Sequence, residues 1–99
     1  MVAYMFQFEL PADFTSEMEA IIPSHREHIN QLFSEGKLLS YSVAQKRTSV
    51  WAIVVAENEQ EALEIVAAMP LHPYFTEVMC HPLLFHNTNP APLPEISLN

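Results

Sequence analysis

The chain has 99 residues, enough for one domain with a single modest core and too few for two. Apolar residues make up 49% of it and glycine occurs once, which excludes a disordered segment and points to a packed globular domain. Twelve acids against four bases give a formal charge of −8, which argues against nucleic acid or an anionic membrane surface as a partner.

The opening MVAYMFQFEL has no basic n-region and no long apolar run, so no signal peptide is expected. Nowhere does an apolar run approach the roughly 18–20 residues of a membrane span, and a soluble cytoplasmic protein is the expectation. Residues 2–10 alternate between two faces, with Val2, Tyr4, Phe6, Phe8 and Leu10 on one, and Pro11 ends this first strand. A connector follows, and Ser16 with Glu19 predicts a capping box for the first helix. The apolar stripe of that helix is Met18, Ile21, Ile22, Ile29, Leu32 and Phe33, at the i, i+3, i+4 spacing of one helical face. His25 lies inside the stripe. Pro23 removes a backbone donor and predicts a kink, with Ser24 and Glu27 able to cap a restarted helix. Gly36 supplies the left-handed stop.

Leu38 to Gln45 and Ser49 to Ala56 read as two strands joined by a polar turn at Lys46, Arg47 and Thr48, where Arg47 is expected to be a solvated loop charge. The nearly all-apolar run Val50 to Val55 predicts a central strand. Asn58 caps a second helix whose inner stripe is Ala62, Ile65, Val66 and Met69, and Pro70 and Pro73 stop it. Tyr74 to His81 form a fourth strand. Cys80, the single cysteine, excludes an internal disulfide, suits a reducing compartment and reads as a small core residue. The order β-α-β-β-α-β is the ferredoxin-like plan, a four-stranded antiparallel sheet with two helices on one face. Residues 1–83 form this α+β domain, and residues 84–99, rich in proline, form an extended arm without a core. The sheet face without helices would carry large apolar residues, so a second copy of the chain is expected against it, as a homodimer or a larger homo-oligomer.

Two readings of His25 stay open: a proton-transfer base, or a core histidine bonded to a strand group. Arg26 is either an anion anchor or an exposed helix charge. His25 and His28 at i, i+3, with His72, His81 or His86, supply too weak a pattern for a metal without an HExxH or a cysteine cluster, and no metal is expected. Tyr41 and Trp51 line a pocket or belong to the core, and His72 lies at the rim where the second helix meets the last strand.

Ala68-Met69-Pro70-Leu71-His72-Pro73-Tyr74-Phe75, followed by Pro82-Leu83 and His86, resembles the C-terminal motif of the muconolactone Δ-isomerase family. The stretch from Pro23-Ser24-His25 to Leu39 is also similar to the YciI-like family of the same dimeric α+β barrel superfamily, in which a histidine at the matching helix position is thought to be functional. The resemblance implies a homo-oligomeric, cofactor-independent enzyme of aromatic-compound breakdown that moves a double bond by shuttling one proton. Such chemistry needs a base and a group to hold the developing enolate. Where the isomerases carry an acid followed by lysine, this chain has His25 and Arg26, and their tryptophan- and arginine-rich second strand is here Leu38 to Val43. The resemblance thus implies His25 and Arg26 as catalytic residues, and His28, Tyr41, Trp51 and His72 are expected to contact a small anionic, lactone-like ligand. A catalytically silent ligand-binding or assembly module of the same superfamily is the alternative.

Overall fold

A computed structural model of the chain describes residues 1–89. The elements run β1 (Val2–Glu9), α1 (Ser16–Ser34), β2 (Leu38–Val43), β3 (Ser49–Ala56), α2 (Glu59–Ala67) and β4 (Glu77–Pro82), with a 3-10 turn at His72–Tyr74. The strands form one antiparallel sheet in the order β2-β3-β1-β4, so the ferredoxin-like plan holds and β3 is an interior strand.

The alternation in β1 and β3 decides what each sheet face does. Phe6 pairs with Ala52, and Phe8 with Val50, so the even-numbered residues of both strands share one face. That face packs against Met18, Ile29 and Leu32 of α1 and against Ala62 and Val66 of α2 in a single core, where Phe6 and Phe8 are fully buried. Burying a phenylalanine side chain contributes roughly 1.5–3 kcal/mol, so this pair anchors the sheet to its helices. The opposite face carries Met5, Gln7, Trp51, Ile53, Val55 and Met79, without a helix over it.

The helix ends follow simple rules with one shift. Thr15, not Ser16, caps α1, its hydroxyl accepting from the Met18 amide at 3.2 Å. Because the cap falls one residue earlier, its third position is Met18, and the Ser16–Glu19 box does not form. No restart occurs either, for α1 runs unbroken through Pro23, and Ser24 bonds backward to the Ile21 carbonyl instead of capping. The stripe buried on both sides of the proline holds the helix together across the missing bond. At the far end Gly36 has φ 72°, with Gly36 N–H donating to Phe33 and Lys37 N–H to Leu32. That is the Schellman pattern, which satisfies the last carbonyls. Asn58 caps α2 through the Glu61 amide at 2.9 Å, as its position in sequence predicts.

Two strands are shorter than the sequence suggests. β2 stops at Val43, where Ala44 and Ser49 close the hairpin through a 2.8 Å backbone bond. β4 starts at Glu77, because residues 72–74 are tied into the 3-10 turn by the Tyr74 amide on the Leu71 carbonyl. Residues 84–89 of the expected arm carry no helix or strand, and residues 90–99 lie outside the described residues.

Candidate functional site

Helix α1, strand β2 and the segment after α2 meet around one side chain. His25 is only 4% exposed, and both ring nitrogens are engaged. The Leu71 amide donates to Nδ1 at 3.2 Å, and Nε2 lies 2.7 Å from the Tyr41 hydroxyl oxygen. A backbone N–H can only donate, so Nδ1 holds a lone pair and the proton of the neutral ring sits on Nε2. The ring therefore donates to the Tyr41 oxygen. That leaves the Tyr41 hydroxyl hydrogen to be given elsewhere.

Electrostatics reinforce this arrangement. Burial, with His28 nearby as a second cause, pulls the His25 pKa down to about 4. Burial alone pushes the Tyr41 phenol up to about 12. Near neutral pH the pair is thus an uncharged imidazole backing an uncharged phenol.

His25 and Tyr41 line a cavity of about 390 Å³, bounded also by Phe14, Ile22 and Leu71. The size suits a small organic molecule. Its polar lining is completed by Glu19, Arg26 and Arg47, and Glu19 is the one carboxylate among the lining residues. Arg26 is exposed on α1, next to His25 in sequence. Arg47 reaches across from the β2–β3 turn, its Nη2 2.9 Å from Glu19 Oε1 and its guanidinium 4.1 Å from the centre of the Phe14 ring. Arg47 thus stays about half exposed, as its place in a polar turn suggests, and is also paired with Glu19 and stacked on Phe14.

The residues singled out in the sequence divide into two groups. His25, Arg26 and Tyr41 come together at the cavity. His28, Trp51 and His72 do not. His28 lines a separate hollow with Lys37, Glu61 and Glu64, and its Nε2 is buried without a hydrogen bond. Trp51 lies on the opposite sheet face, since its neighbour Ala52 is the register partner of Tyr41. His72 packs edge-on against Phe75, with ring centres 5.7 Å apart. No group of three or more His, Cys, Asp or Glu residues suited to a metal occurs among the described residues. Glu19, Arg47 and the Leu71 amide escaped the sequence reading. The spacing of Glu19, Ile22 and Arg26 on α1 is the one signal that could have marked Glu19.

Comparison with known proteins adds two findings. The family model described as muconolactone delta-isomerase matches residues 3–89. A solved structure of 5-chloro-2-hydroxyhydroquinone dehydrochlorinase from Burkholderia phenoliruptrix AC1100, in complex with 2,5-dihydroxybenzoquinone, is similar over 82% of this chain and 91% of that one, with TM-score 0.57 and 15% identity. At that identity the likeness is one of fold. No curated protein matches the chain.

Proposed function

The chain belongs to the muconolactone delta-isomerase family, and from that membership we propose a cofactor-independent proton-transfer enzyme of isomerase type, acting on a small anionic, lactone-like molecule in the His25–Tyr41 cavity. The observation that carries this reading is the buried His25 ring, fixed by the Leu71 amide on one nitrogen and bonded to Tyr41 on the other. The dehydrochlorinase that shares the fold was solved with a small oxygenated ring, a ligand of the size this cavity admits.

The step needs three roles. A base takes a proton from a carbon conjugated with the lactone carbonyl, and the C–H electron pair becomes the new C=C while charge moves onto the carbonyl oxygen. A donor stabilises that oxygen, and the proton then returns to the far carbon, shifting the double bond with no net change in composition. Tyr41 is the donor in this proposal, because its oxygen already accepts from His25 and its hydrogen is available. His25 is a positioning residue, not the base that its helix position suggests, since its lone pair is held by the Leu71 amide. Glu19 is the proton acceptor, and Arg26 contributes positive charge to the rim. We further propose that a second copy of the chain covers the sheet face bearing Trp51.

The test is turnover of muconolactone, followed by the ultraviolet absorbance of the shifted double bond. Tyr41→Phe is expected to lower kcat about a hundredfold or more with a small change in KM, as loss of one oxyanion donor does. Wild-type turnover by Tyr41→Phe sinks the donor role. A wild-type chain that binds muconolactone without converting it leaves the silent binding module as the reading.

A further inference from the structure

Both arginines of this chain, Arg26 on α1 and Arg47 in the β2–β3 turn, line the same cavity. A third cation, Lys46, lines an adjoining hollow that shares Phe14, Glu19 and Arg47 with it. Three of the four basic residues of a chain with net charge −8 thus gather at one mouth. Asp13 and Glu19 are the acids of the two hollows, so the formal charge of their lining is +1, against −8 for the chain.

Three contacts hold Arg47 in place. Its backbone takes φ 66°, a left-handed conformation that residues with a Cβ seldom adopt, fixed by its amide bonding the Ala44 carbonyl at 2.8 Å. Its guanidinium rests on the Phe14 ring, which presets its plane. The remaining contact is the Glu19 pair, whose side chains are 48% and 52% exposed. Half-exposed ion pairs contribute little net stability, so a competing carboxylate exchanges with Glu19 at small cost. The planar guanidinium fork also offers a carboxylate two parallel bonds.

We propose that Arg47 is the specificity-determining residue of the cavity: it takes the carboxylate of an anionic lactone in exchange for Glu19, and the exchange frees Glu19 to accept the proton. The pair is then a resting state, with Glu19 standing where the substrate's carboxylate will bind. The part played by the freed Glu19 rests on the proton-transfer reading. The exchange itself is tested by binding alone.

The experiment measures binding to a saturated γ-butyrolactone bearing an acetate side chain, which has no double bond to shift, and to its uncharged methyl ester. Arg47→Asn, a residue that tolerates the left-handed backbone, is expected to weaken binding of the acid about tenfold or more and leave the ester unchanged. Glu19→Gln is expected to tighten the acid by roughly threefold, because an internal competitor has been removed. Arg47→Lys should fall between wild type and Arg47→Asn. Circular dichroism confirms that each variant is folded. Weaker or unchanged acid binding by Glu19→Gln overturns the exchange, as does equal loss of acid and ester in Arg47→Asn. Failure of the wild-type chain to bind the acid overturns the anchor outright. If these binding shifts appear while Tyr41→Phe keeps full turnover, the anchor stands and the proton-transfer assignment falls.

Discussion

A single ring decides how the cavity behaves with pH. His25 has a folded pKa of about 4 against an ordinary value near 6.5, because burial disfavours its charged form. The unfolded chain therefore binds the proton more readily, and stability is full above pH ~6.5 and falls as the pH drops towards ~4. Between pH 7.5 and 5 the loss from this group is about 2 kcal/mol, and urea unfolding of the wild type and of His25→Gln at both values checks it. The variant should lose that part of the slope. Turnover should stay flat through pH 6.5 and drop only towards pH 4, where the His25 ring takes up a proton and its support of Tyr41 changes. The position of His25 was legible in sequence, because a helical stripe shows which side chains face inward. Its chemistry was not. The decisive partner, the Leu71 amide, lies 46 residues away in a turn whose closure depends on the whole fold. The same holds for Glu19 and Arg47, 28 positions apart and joined only when the hairpin reaches the helix.

Helix α1 carries His25, Arg26 and Glu19 together, and Pro23 sits in their midst. A proline inside a helix removes the bond its nitrogen would have made to the carbonyl four residues back, here that of Glu19. Because α1 continues unbroken, packing of Met18, Ile29 and Leu32 on the sheet offsets that loss. Pro23→Ala is therefore expected to stabilise the protein by about 1–3 kcal/mol, read as a higher urea midpoint with an unchanged m-value. A lower midpoint would mean that proline's restriction of the unfolded chain outweighs the missing bond. Local rules served well where one residue has one suitable job, as with Gly36 and Asn58. They served less well where neighbours compete: Thr15 and Ser16 are both good caps, and the backbone path selects the first. Strand ends follow neighbours for a related reason. Tyr74 to Thr76 have strand-forming side chains, but the prolines at 70 and 73 favour a turn, and the 3-10 bonds win.

At the scale of the molecule, the sheet has one face under two helices and one without. The second bears Met5, Trp51, Val55 and Met79, and Trp51 keeps 39% of its surface exposed. A symmetric pair of chains would remove this surface from water, and a charge at its centre would oppose the pairing. Trp51→Glu is expected to shift the wild-type species to a monomer in analytical ultracentrifugation, with the far-ultraviolet circular dichroism unchanged. A monomeric wild type would dismiss the pairing. No helix among the described residues is long and apolar enough to cross a membrane.

The sheet order also sets a timetable for synthesis. β1 lies between β3 and β4, so the strand that leaves the ribosome before the others is paired on both edges only after β4 has followed. At roughly 5–20 residues per second, Phe6 and Phe8 wait several seconds for partners made much later. During that interval the nascent chain offers an apolar strand with two open edges until β3 is made and one until β4 is, the kind of segment that chaperones hold. Growth conditions that slow translation past β1 should therefore lower the soluble yield more than the stability of the finished fold would suggest.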